Sequence, residues 1–253
     1  MPKHQREILV INPNTSVEMT RGLAKLVQGR WNPVAQIELY TAPKGPASID
    51  HDKDAMESAR CVIDDLVVSG RLAQYEAFLV ACYSVHPLVG FIKDELRKAS
   101  LRAHVLGIFE ASIITALSLL PPTTRFGIVS TGKFWEKALS DGVNNFLGTE
   151  DGKSNSKFQA VSTTGLNADQ LHYMPKEEVR NRMKVAVKSL IEDGNGGVSV
   201  VILGCAGMAG LDEVVREALI DKCGEKEGRG MFILDGVKCG IGMLENLIKT
   251  IPP

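Results

Sequence analysis

Cys82 and Cys205 each close a short apolar run and open a loop of small residues. The first follows Ala77–Ala81 and leads into Tyr83-Ser84; the second follows Val198–Gly204 and leads into Ala206-Gly207. They stand 123 residues apart in a chain of 253, close to half its length. One thiolate and one thiol on opposite faces of a carbon beside a carbonyl can remove a proton on one side and return one on the other. Such a pair inverts a stereocentre by general acid–base chemistry with no cofactor. A free thiol has a pKa of about 8.5, so each sulfur needs helix N-terminal or backbone amides that favour the thiolate near neutral pH. The plain alternative for either residue is a small buried side chain, the common fate of a free cysteine.

Other groups that could bind or orient a substrate lie in similar settings. Asn12-Pro13-Asn14-Thr15-Ser16 leaves an apolar run and enters a helical pattern. There Pro13 stiffens the turn, and Thr15 or Ser16 can cap the helix or present first-turn amides to an oxygen. Ser84-Val85-His86-Pro87 follows the first cysteine, with Pro87 suited to a first helical position. His86 can cap that helix, tune Cys82 or touch substrate. Tyr83 and Phe109 suit apolar walls or plain core packing. Gly204 to Gly210 is so poor in bulk that a ligand can approach the backbone, yet it has neither a dinucleotide fingerprint nor a phosphate-binding loop. Cys61 and Cys223 lie in or near helical patterns, and Cys239 follows the last apolar run. His4, His51, His104 and His172 have no evident partner, and no spacing matches a zinc motif, so no metal is expected.

The elements that must position these groups repeat. Predicted strands cover Ile8–Asn12, Ile37–Thr41, Ala77–Cys82, Val105–Phe109, Arg125–Thr131, Phe158–Thr163, Val198–Gly204 and Met231–Asp235. Helical periodicity marks Ser16–Arg30, Ser48–Ser69, Pro87–Ala99, Ala111–Leu119, Lys133–Phe146, Lys176–Asp193, Leu211–Lys222 and Val237–Lys249. Strand starts at 8, 37, 77 and 105 recur at 125, 158, 198 and 231, an offset of 117 to 126. The expected fold is therefore α/β: two pseudo-symmetric flavodoxin-like lobes, each with a parallel four-stranded sheet, and an active-site cleft between the lobes. Residues 1–109 form the first lobe, with helix 237–253 packing on it, and residues 110–236 form the second. A single open sheet without symmetry is the alternative. Corresponding strand exits match: Asn12 to Ser16 with Ser130-Thr131-Gly132-Lys133, Cys82 with Cys205, and Glu110-Ala111-Ser112 with Asp235-Gly236-Val237. Ligands of parallel α/β sheets bind beyond the carboxyl ends of strands. Residues 148–157 and 193–197 read as exposed connectors.

Composition bounds the class. Basic and acidic side chains number 29 and 30, so no global field attracts nucleic acid or an anionic membrane. No apolar stretch reaches the roughly 18 residues that span a bilayer, and the polar run Met1–Glu7 meets a strand with no room for a signal peptide. Five cysteines do not suggest a disulfide framework. The expected setting is the reducing cytoplasm.

Together, Ile11–Ser16, Ala81–Ser84 and Gly204–Met208 resemble the hydantoin/allantoin racemase branch of the aspartate/glutamate racemase superfamily. Asp235-Gly236-Val237 is similar to its late strand-exit motif. The matches run in order along nearly the whole chain and are most like the fungal members. The resemblance implies two thiols, Cys82 and Cys205, acting as an acid/base pair without metal or cofactor on a small-molecule substrate, in a homo-oligomer as is common in the family. It implies that Asn14, Ser84, Thr131 and the amides near Ala206 and Gly207 grip substrate oxygens; His86 joins these candidates from its position. Bacterial members typically follow the first cysteine with Asp-Pro-Gly, where this chain has Val85-His86-Pro87-Leu88.

The function expected is racemisation of allantoin or a 5-substituted hydantoin. Three alternatives share the scaffold. Aspartate or glutamate racemisation would need cationic or hydrogen-bonding groups for two carboxylates, to which Lys133 or His86 could contribute. A maleate isomerase-like enzyme would add one cysteine to a double bond. A non-catalytic relative would only bind a small molecule.

Overall fold

Four runs without polar residues, Ile8–Ile11, Ala77–Val80, Phe126–Val129 and Val200–Ile202, are almost wholly shielded from solvent. Runs without polar alternation suit strands covered on both faces, as the inner strands of parallel sheets are. In the computed structural model, which describes residues 7–28, 35–150, 153, 155–192 and 197–253, these runs are the inner strands of two sheets. The expectations for residues 1–6 (His4 among them), the helix end at 29–30, positions 151, 152 and 154, and positions 193–196 lie outside the described residues.

The strands are β1 (Glu7–Asn12), β2 (Gln36–Thr41), β3 (Ala77–Val80), β4 (His104–Gly107), β5 (Arg125–Ser130), β6 (Phe158–Thr163), β7 (Val198–Leu203) and β8 (Phe232–Asp235). The helices are α1 (Val17–Val27), α2 (Asp52–Val68), α3 (Pro87–Lys98), α4 (Ile108–Leu119), α5 (Phe134–Phe146), α6 (Gln170–Tyr173), α7 (Lys176–Glu192), α8 (Asp212–Cys223), α9 (Glu225–Gly230) and α10 (Gly236–Thr250). The sheets have the orders β2-β1-β3-β4 and β6-β5-β7-β8, parallel throughout. The two four-stranded parallel sheets expected from the repeat are thus present, with one topology used twice.

The chain divides into two compact units, 1–111 with 237–253, and 112–236. In the first, Leu9, Ile11, Phe78 and Val80 share one sheet face and pack with Val62 and Leu66 of α2 and Leu88 and Ile92 of α3. Burying each large aliphatic side chain contributes about 1.5–3 kcal/mol. Hydrogen bonds tie the C-terminal segment into this unit. Ala35 N–H donates to Glu245 Oε1 at 2.8 Å, and His104 Nε2 meets Ile251 O at 2.7 Å. In the second unit, Val129, Val201 and Leu203 pack with Met183, Val187 and Leu190 of α7 and with Val215 and Leu219 of α8. No described helix is long and apolar enough to cross a membrane.

Three boundaries differ from expectation at the positions that matter. β3 stops at Val80 and β7 at Leu203, so both cysteines sit in loops rather than on strand ends. β4 stops at Gly107, and α4 begins at Ile108 instead of Ala111. Ile108 and Phe109 are fully buried, and a short apolar pair satisfies a strand or a buried helix equally well.

Candidate active site

In a sheet of order 2-1-3-4, the crossovers from the two inner strands run in opposite directions, leaving a crevice beyond their carboxyl ends. In the first unit that switch point lies between β1 and β3, where the loops Asn12–Ser16 and Ala81–His86 emerge. In the second it lies between β5 and β7, where Ser130–Lys133 and Gly204–Gly207 emerge. Every expected site residue therefore falls on a switch-point loop of its own sheet.

The first loop is held largely by its own side chains. Asn12 Nδ2 donates to Ser16 O (2.9 Å) and Thr20 Oγ1 (3.1 Å), and its Oδ1 accepts Asn14 N–H (3.3 Å). Asn14 Oδ1 accepts Ser16 N–H at 2.9 Å, while its Nδ2 donates to Met19 Sδ at 3.0 Å. Ser16 caps α1 by accepting Met19 N–H. Asn14 thus acts as a buried brace of the turn.

Around the first thiol, Ser84 N–H donates to Cys82 O at 3.0 Å, and Ser84 Oγ lies 3.6 Å from Cys82 Sγ. Ser84 is buried and Cys82 half-buried, so the sulfur keeps a hydroxyl beside it within a tight turn. His86 is the N-cap of α3, with its Nδ1 accepting Leu88 N–H at 3.3 Å and its carbonyl accepting Val89 N–H at 3.1 Å. Pro87 has no N–H to satisfy. Burial pushes the His86 imidazole down to about 4. Of the three roles open to His86, capping is the one visible in the protein alone.

The second thiol is held differently. Cys205 Sγ accepts Gly207 N–H at 3.3 Å within a short 3-10 turn, Ala206–Met208. That amide was expected to grip a substrate oxygen; here it faces sulfur, a contact a thiolate accepts better than a thiol. Thr131 is buried in the facing loop; its carbonyl accepts Gly165 N–H at 3.0 Å and Thr164 Oγ1 lies 3.4 Å from it. The two loops are stitched together by Ser130 Oγ donating to Gly204 O and Gly204 N–H donating to Val129 O, both at 2.7 Å.

That stitching leaves Gly204 no room for a side chain. A Cβ there would lie 2.7 Å from Ile128 Cγ2, 2.9 Å from Val129 O and 3.1 Å from Ser130 Cβ. Gly204→Ala must push the β7 tip away from β5 and carry Cys205 with it. The expected cost is about 1–3 kcal/mol of stability; thermal melts check it, and an unchanged melting temperature would show that the β7 tip yields freely.

Two features escaped the sequence reading. Glu110, in the first turn of α4, is largely buried, and burial raises its carboxyl above the usual range. Its Oε2 has no hydrogen-bond partner among the described residues and fills the space over Gly107, 2.3 Å from where a Cβ would stand. The pairing of Ser130 with Gly204 is the other. Glu110 stood among the expected strand exits without any sign of its burial, and a glycine after an apolar run was the signal for the second.

Elsewhere, a cavity of about 390 Å³ lies at the opposite, amino end of β4, lined by Lys93, Arg97, Arg102 and His104 among others. Another of about 380 Å³ follows edge strand β2. Its polar groups are already paired: Tyr40 Oη with Asp65, and both Arg71 and Tyr75 Oη with Glu38. Neither is lined by a residue of the switch-point loops. Among the described residues no group of three or more His, Cys, Asp and Glu could hold a metal ion. Cys61 lies in α2, Cys223 ends α8 and Cys239 lies in α10, apart from the loops that carry Cys82 and Cys205.

Comparison with known proteins agrees with this layout. The sequence model of the family described as Asp/Glu/Hydantoin racemase matches residues 8–244. An uncharacterized protein of Schizosaccharomyces pombe is 34% identical over 96% of this chain and 92% of its own. A hydantoin racemase of a Pseudomonas species is 26% identical over 96% of this chain and 86% of its own. The solved structure of the allantoin racemase from Klebsiella pneumoniae superposes with a TM-score of 0.73 at 25% identity, covering 96% of this chain and 88% of that one. With residues 8–244 matched by the family model and a relative 34% identical over 96% of its length, the chain belongs to the Asp/Glu/hydantoin racemase family.

Proposed function

We propose that this chain is a cofactor-independent racemase of a hydantoin-type substrate, allantoin or a 5-substituted hydantoin, with Cys82 and Cys205 as its acid/base pair. The observation that carries the reading is the matched placement of the two thiols. Each sits in the loop after the inner strand that follows the switch point of its sheet. In the forward direction one sulfur, as thiolate, takes the proton from the stereogenic carbon and becomes a thiol. The electron pair left on carbon delocalises into the adjacent carbonyl as an enolate. The other sulfur, as thiol, gives its proton to the opposite face and becomes the thiolate. Substrate and product have the same composition, and the two sulfurs have exchanged protonation states. Ser84 Oγ and the Gly207 amide are the groups that accommodate a charged sulfur on either side.

A neutral ring suits the switch-point loops better than a diacid does. The buried polar side chains of the described residues are amides, hydroxyls, one imidazole and Asp235, with no lysine or arginine. Lys133, one of the two groups expected to serve a second carboxylate, is exposed, and the other, His86, is held uncharged by burial. A single enantiomer of a 5-substituted hydantoin incubated with the protein should lose optical rotation. In D₂O the product should carry deuterium at C5. No loss of rotation beyond the uncatalysed rate for any hydantoin tried, with turnover of aspartate or glutamate instead, would sink the assignment.

A further inference from the structure

His86 has two ring nitrogens, and the fold employs one. Nδ1 accepts the Leu88 N–H, so in the neutral imidazole the proton resides on Nε2. The side chain is 3% exposed, and Nε2 is buried with no hydrogen-bond partner among the described residues. A buried donor without an acceptor is rare and costly, about 1–3 kcal/mol. Capping alone does not account for it, because Asn, Asp or Ser caps a helix at least as well without burying a second polar atom. The ring follows Ser84, the residue beside Cys82 Sγ, by two positions in the switch-point loop. Burial also keeps the ring uncharged. An uncharged donor in a dry setting suits a neutral acceptor such as an imide or ureide carbonyl.

We propose that His86 is a substrate-reading residue whose Nε2–H donates to a ring carbonyl of the bound hydantoin. This rests on the hydantoin reading above and adds the group that recognises the ring, in the segment Val85–Leu88 that distinguishes this chain from the bacterial pattern. The bond replaces no hydrogen bond among the described residues.

5,5-Dimethylhydantoin tests it, because it keeps both ring carbonyls but has no hydrogen at C5 and cannot be turned over. Calorimetry should show binding to the wild type and about tenfold weaker binding to His86→Asn, whose side-chain oxygen preserves the cap. The melting temperatures at neutral pH should stay close. Replacing one ring carbonyl by thiocarbonyl, a weak acceptor, should weaken binding to the wild type and add nothing to the loss in His86→Asn. Nitrogen-15 NMR should find the ring protonated on Nε2. Equal binding by both proteins, or a ring protonated on Nδ1, overturns the proposal and leaves His86 a cap while the hydantoin reading stands. A wild type that binds no 5,5-dimethylhydantoin, with Nε2 protonated, removes the hydantoin reading and this proposal with it.

Discussion

Cys82→Ala and Cys205→Ala should each lower racemisation by at least about 10²–10⁴-fold, the usual contribution of one positioned acid or base. Each should still exchange the C5 hydrogen of one enantiomer with D₂O, and the two variants should choose opposite enantiomers. The reason is geometric. With one sulfur gone, the remaining thiolate takes the proton it faces, exchanges it with solvent, and returns deuterium to the same face. Exchange without inversion is therefore the signature of half a two-base site. Both sulfurs are half-buried in loops rather than deep in the core, so truncation costs little stability and circular dichroism should be unchanged. Cys205→Ala also leaves the Gly207 N–H without its sulfur acceptor, a loss that Cys205→Ser restores in part. If either alanine variant racemised at the wild-type rate, a two-thiol mechanism would be wrong. If one variant exchanged both enantiomers, a single sulfur would be serving both faces.

Much of the scaffold was legible in the sequence because parallel α/β sheets write themselves as continuous apolar runs. Ile8–Ile11 and Val200–Ile202 have no polar alternation to confuse them, and all eight strands lie within two residues of their expected starts and ends. The repeat then placed both cysteines at equivalent exits. Two short helices were not legible. Gln170–Tyr173 is a single turn, and Glu225–Gly230 contains two glycines and no apolar stripe. The latter exists because Gly228 rests directly on the α8 backbone, where a Cβ would come within 2.6 Å of Ile220. Tertiary packing decides such a helix, and propensity does not.

At the site, residue types were legible and their partners were not. A loop hydrogen bond depends on the φ and ψ of several successive residues, which no spacing rule encodes. So the Gly207 amide facing Cys205 Sγ, and Asn14 turned inward to brace its own loop, are set by the folded loops and not by residue type. His86 shows both sides. Pro87 after it signalled a helix start, and the ring does cap α3, but nothing in Val85-His86-Pro87-Leu88 announced a ring buried this deeply beside an exposed Val85.

That burial should make the protein acid-sensitive well above the range where carboxylates titrate. The His86 imidazole titrates at about 4 in the folded chain, against about 6.5 when unfolded. Between those values the unfolded chain binds the extra proton, so stability rises with pH there and falls as pH is lowered from about 6.5 through about 4. The full difference is about 3 kcal/mol. Asp54 and Glu38, whose carboxyls are held below their ordinary values by hydrogen bonds, lose their contributions further down. Glu110, raised by burial, works in the opposite direction and gains as it protonates. The stability difference between wild type and His86→Asn isolates the histidine. It should be flat above about pH 7 and shift steadily against the wild type down to about pH 4, followed by urea melts at fixed pH. Parallel curves for the two proteins would mean that the ring is solvated. Because protonated Nδ1 would set two donors face to face with Leu88 N–H, the first segment to loosen should be the start of α3. That is the segment holding the Cys82 turn, so catalytic activity should fall before global unfolding as the pH drops.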